Sequence, residues 1–201
     1  MEHDYRNHLV HIIFDPHNNH GFYTLYYWTI PDSHRNAILY KKSKKQYSEV
    51  GTVLQAYLYR SKDDLIMLSK DSSCNVRLCK GIYRESPEIA IQKRREINYN
   101  FLKLLRYAFV NKIYVGIATH NLELLSKTYD IIDELKISTD KFEFQVLYGV
   151  PMSGWLEKHK NNGYKVRVYV PYGSDWYAYS IRRLKENPNI AGYILKDLFR
   201  K

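Results

Sequence analysis

The chain of 201 residues has only two cysteines, Cys74 and Cys79, so no disulfide framework can be built and a reducing compartment is expected. With no second cysteine pair and no HxxxH, the sequence gives no reason to expect a metal centre. No apolar run approaches the roughly 20 residues of a membrane-spanning helix. The opening MEHDYRNHLVHII holds a short apolar run but neither a signal-peptide core nor a small-residue cleavage site. No GxGxxG follows a strand-like segment, which leaves a dinucleotide-binding Rossmann reading without support. Acidic residues are few beside basic ones, 21 against 31, for a formal net charge of +10. That excess would suit nucleic acid, an anionic membrane surface or an anionic ligand. Apart from Lys41, Lys42, Lys44 and Lys45 it is spread along the chain, and a dispersed excess reads as solvated surface. No nucleic-acid motif accompanies it, and no nucleic-acid partner is expected.

What the sequence does have is 45% hydrophobic residues, enough for a packed core, and a regular alternation from residue 52 onward. TVLQAYLYR (52–60) is β-branched and aromatic and reads as a strand. SKDDLIML (61–68) reads as a short helix, with Ser61 and Asp64 spaced as a capping box. NVRLCKGIY (75–83) is the next strand, and Ser86 followed by Pro87 predicts the start of a helix carrying Ile97, Phe101, Leu104 or Leu105, and Ala108 on one stripe. KIYVGIATH (112–120), FEFQVLYG (142–149) and YKVRVYVPYG (164–173) are further strands. Between and after them come a helix with Leu125, Tyr129 and Ile132 on one face, a short helical stretch near 153–161, and the helix DWYAYSIRRLKEN (175–187) stopped by Pro188. Strand and helix in repeated alternation predict parallel strands with crossover helices. Residues 1–35 differ: they are rich in His, Asn and Tyr, with one readable strand in FYTLYYWTI (22–30). They are taken as a divergent N-terminal segment, and 36–201 as the main domain.

Polar residues inside the strands favour a (β/α)8 barrel over an open sheet. Arg77 and Cys79 share one face of VRLCK, and Glu143, Gln145 and Leu147 share one face of FEFQVL. Gln55 lies in the middle of TVLQAYL, and Thr119, His120 and Asn121 close a strand. Such groups are costly inside a strand unless partnered, so several strands are expected to feed one polar site at a barrel mouth. Three constellations stand out. Tyr179, Arg182, Arg183 and Glu186 fall along one broad helix face, where twin guanidiniums suit a carboxylate or phosphate; an ordinary surface ion pair, Arg182 to Glu186, has the same spacing. Arg77 with Lys80, Gly81 and Tyr83 puts two cations at a glycine turn. Thr119–His120–Asn121 would grip a phosphate or a ring edge, or simply form a satisfied turn. His120 is a weak candidate base, since no Ser or Cys nucleophile occupies a strand-to-helix elbow near it.

VLQAYLYRS (53–61), VRLCKGIYRE (76–85), IATHN (117–121), KFEFQVLYGV (141–150) and KVRVYVPYGSDWYAYSIRRLKENP (165–188) together resemble the bacterial flavin-dependent proline dehydrogenases, in the family's order. The resemblance implies a (β/α)8 barrel of TIM type holding FAD at its C-terminal face, oxidation of L-proline to 1-pyrroline-5-carboxylate, and a quinone as final electron acceptor. It implies a cytoplasmic protein, peripheral at the inner face of the cell membrane. Carried over by motif, Gln55, Arg77, Lys80, Gly81, Ile82, Thr119 and His120 match FAD-contacting positions, with Arg77 the catalytic cation beside the flavin. Arg182 and Arg183 match the clamp on the proline carboxylate. Tyr83, Leu147, Tyr169 and Tyr179 match residues that shape its pocket.

The departures are specific. The family's first strand, which ends in a substrate-holding lysine, has no counterpart here. Its next strand carries an IDMED-like segment with an important aspartate; the equivalent falls near WTIPDS (28–33), where Thr29 stands at that aspartate's place. Ile82 replaces the usual small alanine after KG. The expectation is therefore a barrel incomplete at its N-terminal strands, from a truncated or divergent member. The alternative is a non-catalytic remnant that binds a partner chain through its open edge.

Overall fold

The computed structural model describes residues 25–27, 40, 44–45, 50–70, 74–81, 85–147, 150, 152 and 154–169. Among the described residues six strands run parallel in one sheet in sequential order: β1 (Leu25–Tyr27), β2 (Val50–Gln55), β3 (Asn75–Cys79), β4 (Tyr114–Ala118), β5 (Phe142–Leu147) and β6 (Val166–Tyr169). Among the described residues, α1 (Ser61–Leu68), α2 (Arg94–Val110), α3 (Leu122–Glu134) and α4 (Trp155–Asn161) follow β2, β3, β4 and β5 in the chain. Sequential parallel order with a helix at each of the later crossovers is the arrangement of an α/β barrel wall, as the sequence predicts. The strand expected within 22–30 is present at Leu25–Tyr27, paired with β2. Among the described residues no helix is long and apolar enough to cross a membrane.

Alternation along each strand separates two faces. Val76 and Leu78, Val115 and Ile117, and Phe142, Phe144 and Val146 join the hydrophobic core under the helices. Helix α2 covers them with Phe101, Leu104, Leu105, Ala108 and Phe109, and α3 with Leu124, Leu125, Tyr129, Ile131 and Ile132. The alternate residues, Arg77, Gly116, Glu143, Gln145 and Arg167 among them, face the other way, into the barrel.

Two local expectations are corrected. Ser61 and Asp64 do not form a capping box: the Ser61 hydroxyl donates to the Gln55 carbonyl at 2.6 Å, and Asp64 takes both Nε and Nη2 of Arg60, at 2.9 and 2.8 Å. The serine is recruited to close the end of β2 instead. Ser86–Pro87 begins a single turn, with the Ser86 carbonyl accepting from Ile89 and Ala90, and not the long helix. Ala90 then bridges to Leu58 and the Ile91 amide donates to the Tyr57 carbonyl, so the chain is tied to the loop after β2 before α2 starts at Arg94.

Behind β5 lies a buried imidazole that no motif or spacing in the sequence singles out. His159 of α4 is 0% exposed, stacks on Phe144 with centroids 3.8 Å apart, and shares a 2.8 Å hydrogen bond through Nδ1 with the Tyr129 hydroxyl. Burial, helped by the neighbouring Lys158 cation, pushes its pKa from 6.5 down to about 4. The folded state thus disfavours the proton that the unfolded state accepts. His159 leaves stability intact above about pH 6.5 and withdraws it as pH falls towards about 4, on the order of 3 kcal/mol in all. Urea unfolding at about pH 7 and pH 4.5 should show that loss in the native chain, and a smaller one in His159→Phe. Equal acid sensitivity of the two would contradict it.

Candidate active site

The parallel sheet brings every strand's C-terminal end to one side, where Gln55, Cys79, Ala118, Leu147 and Tyr169 end β2 to β6. Register sets the inner face: Val53 pairs with Arg77, Arg77 with Gly116 and Gly116 with Glu143, while Gln145 pairs with Arg167 and Leu147 with Tyr169. Across this face runs a chain of hydrogen bonds. Arg77 Nε donates to Gln145 Oε1 at 2.8 Å, and Gln145 Nε2 donates to Glu143 Oε1 at 2.7 Å. Glu143 also takes Arg167 through Nε and Nη2, both at 2.8 Å, and the Tyr114 hydroxyl at 3.1 Å. The expectation of one polar site fed by several strands is met, and the cost of the buried groups is offset by mutual pairing.

Arg77 is half-buried and makes no ion pair among the described residues; its single hydrogen bond there is to the neutral amide of Gln145. Above it, His120 Nε2 accepts the Leu147 amide at 2.9 Å, joining the ends of β4 and β5. That bond places the ring proton on Nδ1, and burial together with the Arg77 charge lowers the pKa, so the imidazole is neutral at pH 7. With Nε2 already engaged, His120 is a spacer and an Nδ1–H donor rather than a base. Thr119 is buried and its hydroxyl oxygen accepts the Asn121 amide at 3.2 Å, while the Asn121 side chain caps α3 through Leu124 N at 2.9 Å. Asn121 is thereby spent on the helix, as the bland reading of that turn predicts.

Gln55 ends β2, and its Oε1 is a buried acceptor that finds no hydrogen-bond partner among the described residues. Lys80, just beyond β3, donates to Asn98 Oδ1 at 3.3 Å, and burial, then the Arg94 charge, lowers its pKa. Gly81 follows with φ +97°, and a Cβ there would meet the Tyr57 ring at 2.2 Å, so the turn admits glycine alone. Ile82, Tyr83, Tyr179, Arg182 and Arg183 lie outside the described residues. Arg167, Tyr114 and Asn98 belong to the site's scaffold without having been singled out. Arg167 was open to the same argument as Arg77, because it sits one residue out of phase with the apolar positions of KVRVY.

A family model described as proline dehydrogenase matches residues 32–194. The chain belongs to the proline dehydrogenase family. It is similar to proline dehydrogenase 1 and proline dehydrogenase 2 of Bacillus subtilis, at 37% and 40% identity over 163 residues, which cover 81% of this chain and 53% of each relative. The chain thus spans about half the length of the curated relatives it matches. Among solved structures it is similar to proline utilization A from Bdellovibrio bacteriovorus inactivated by N-propargylglycine, with a TM-score of 0.63 and 30% identity, covering 70% of this chain and 17% of that one. Family membership agrees with the parallel barrel wall built by β2 to β6.

Proposed function

We propose that this chain oxidises L-proline to 1-pyrroline-5-carboxylate on bound FAD, with a quinone as the eventual electron acceptor at the inner face of the membrane. When bound, FAD supplies an acceptor for the hydride from the proline carbon next to nitrogen. The residues fit such a group. Gln55 Oε1 is an orphaned acceptor suited to a ring N–H. The Thr119 hydroxyl and His120 Nδ1–H are donors at the same strand ends. Lys80, with Arg94 beside it, gathers positive charge suited to phosphates, and its lowered pKa records how little solvent or counter-charge offsets that charge now.

The observation that carries the reading is Arg77. A half-buried guanidinium held by a neutral amide keeps its full charge, which is what stabilises negative charge developing on a ring as it is reduced. Arg182 and Arg183 would clamp the proline carboxylate by their planar donor forks, and Tyr83, Leu147, Tyr169 and Tyr179 would wall the pocket. Of these, Leu147 and Tyr169 pair at the ends of β5 and β6, next to the His120 bond.

The test is the visible spectrum of the purified full chain, supplied with FAD, before and after L-proline under nitrogen. Uptake of FAD and bleaching of its absorption by proline, with transfer of electrons to a dye, is the expected result. A chain that takes up no FAD, or whose flavin spectrum proline leaves unchanged, overturns the reading and favours the non-catalytic remnant.

A further inference from the structure

We propose that Gln145 is a positioning residue, a neutral spacer that fixes Arg77 by one hydrogen bond while keeping the Glu143 carboxylate from neutralising it. This deepens the reading above and rests on it. Along the register row Arg77, Gly116 and Glu143 are successive neighbours on β3, β4 and β5. Strands lie about 4.8 Å apart, so the two charged side chains face each other across a single strand that presents no side chain between them. Both are long enough to meet there. The Gln145 amide fills that slot: a Cβ added at Gly116 would lie 2.4 Å from its Nε2.

The amide is fixed in one sense. Its oxygen faces the Arg77 Nε–H and its NH2 faces the Glu143 carboxylate. Turned over, it would set donor against donor at Arg77 and acceptor against acceptor at Glu143. Glu143 meanwhile has its charge matched elsewhere, by two bonds from Arg167, whose side chain is 11% exposed against 4% for Glu143. Among the described residues, one carboxylate and two guanidiniums are thus arranged so that Arg167 is neutralised and Arg77 is not. A glutamate at 145 would preserve every length in this arrangement and reverse its electrostatics.

The experiment is the transposed double variant Glu143→Gln with Gln145→Glu, which keeps net charge, side-chain volume and a hydrogen-bonded chain. In the FAD-free protein the Arg77 charge helps hold down the His120 pKa. A carboxylate at 145 should raise that pKa on the order of one unit, read by NMR titration of the His120 ring. In the FAD-loaded chain the flavin potential should become more negative and kcat should fall about 10- to 100-fold, with KM for L-proline within about twofold. A purely structural role for Gln145 would leave His120 and the flavin potential where they are, and that outcome overturns the proposal. Should the transposed chain fail to fold, Gln145→Met removes the hold without adding charge; kcat falling at unchanged KM supports the proposal, and native kcat overturns it. A native chain that binds no FAD sinks the proposed function instead, and the FAD-free His120 comparison then decides this inference alone.

Discussion

Arg77→Met is expected to slow proline-dependent reduction of bound FAD by about 10²–10³, the range for losing one preorganised group that meets charge as it develops. The reasoning starts from the sheet. Arg77 is a strand residue out of phase with its apolar neighbours Val76 and Leu78, so its side chain is directed to the inner face by the pleat itself. Its Nε is tied to Gln145, which orients the fork, and no carboxylate among the described residues takes up its charge. Methionine keeps the length and loses both the charge and the donors. The loss should fall on kcat with KM for L-proline little altered, because the charge matters as the ring gains electrons and not when substrate arrives. Arg77→Lys retains the charge and should recover part of the rate. In the FAD-free chain Arg77→Met should also raise the His120 pKa, leaving only burial to depress it. Stopped-flow reduction and an NMR titration check the two halves; native rates in Arg77→Met would refute the role given to it.

Much of this face was legible in the sequence, because period-two alternation is a property of a strand alone. VRLCK and FEFQVL each announce which residues turn inward before any partner strand is known. Pairing is different: it depends on register between strands. Gly116 looks like an ordinary small residue in IYVGIA until it falls between Arg77 and Glu143 and becomes the slot for an amide. Local signals failed where a distant group competed for the same atom. Ser61 has the spacing of a cap, but the Gln55 carbonyl takes its hydroxyl. Ser86–Pro87 has the signature of a helix start, but the following residues are drawn to Tyr57 and Leu58. His159, flanked by Lys158 and Lys160, reads as surface, and its burial depends on Tyr129, 30 residues away, and on Phe144.

Glu143→Ala should destabilise the chain by about 3–5 kcal/mol, the cost of breaking a buried pair from one side. Glu143 is 3% exposed and accepts from four donors: Gln145 Nε2, Arg167 Nε, Arg167 Nη2 and the Tyr114 hydroxyl. Its removal takes from the buried Arg167 guanidinium the carboxylate that accepts two of its N–H groups, and takes the same acceptor from the Gln145 amide and the Tyr114 hydroxyl. The exposed pair Arg106–Glu134 has comparable geometry, yet Glu134→Ala should change stability little, since both groups stay solvated. Replacing both buried partners, Glu143→Leu with Arg167→Met, should recover much of the loss, because neither charge of the pair then stays buried. Urea unfolding of the FAD-free chain measures all three, and a loss of less than about 1 kcal/mol in Glu143→Ala would contradict the cost given to this pair. The same variant also takes from the Gln145 amide the carboxylate its NH2 faces. Its effect on the His120 titration therefore reports whether the carboxylate that stabilises the barrel also keeps Arg77 in its working orientation.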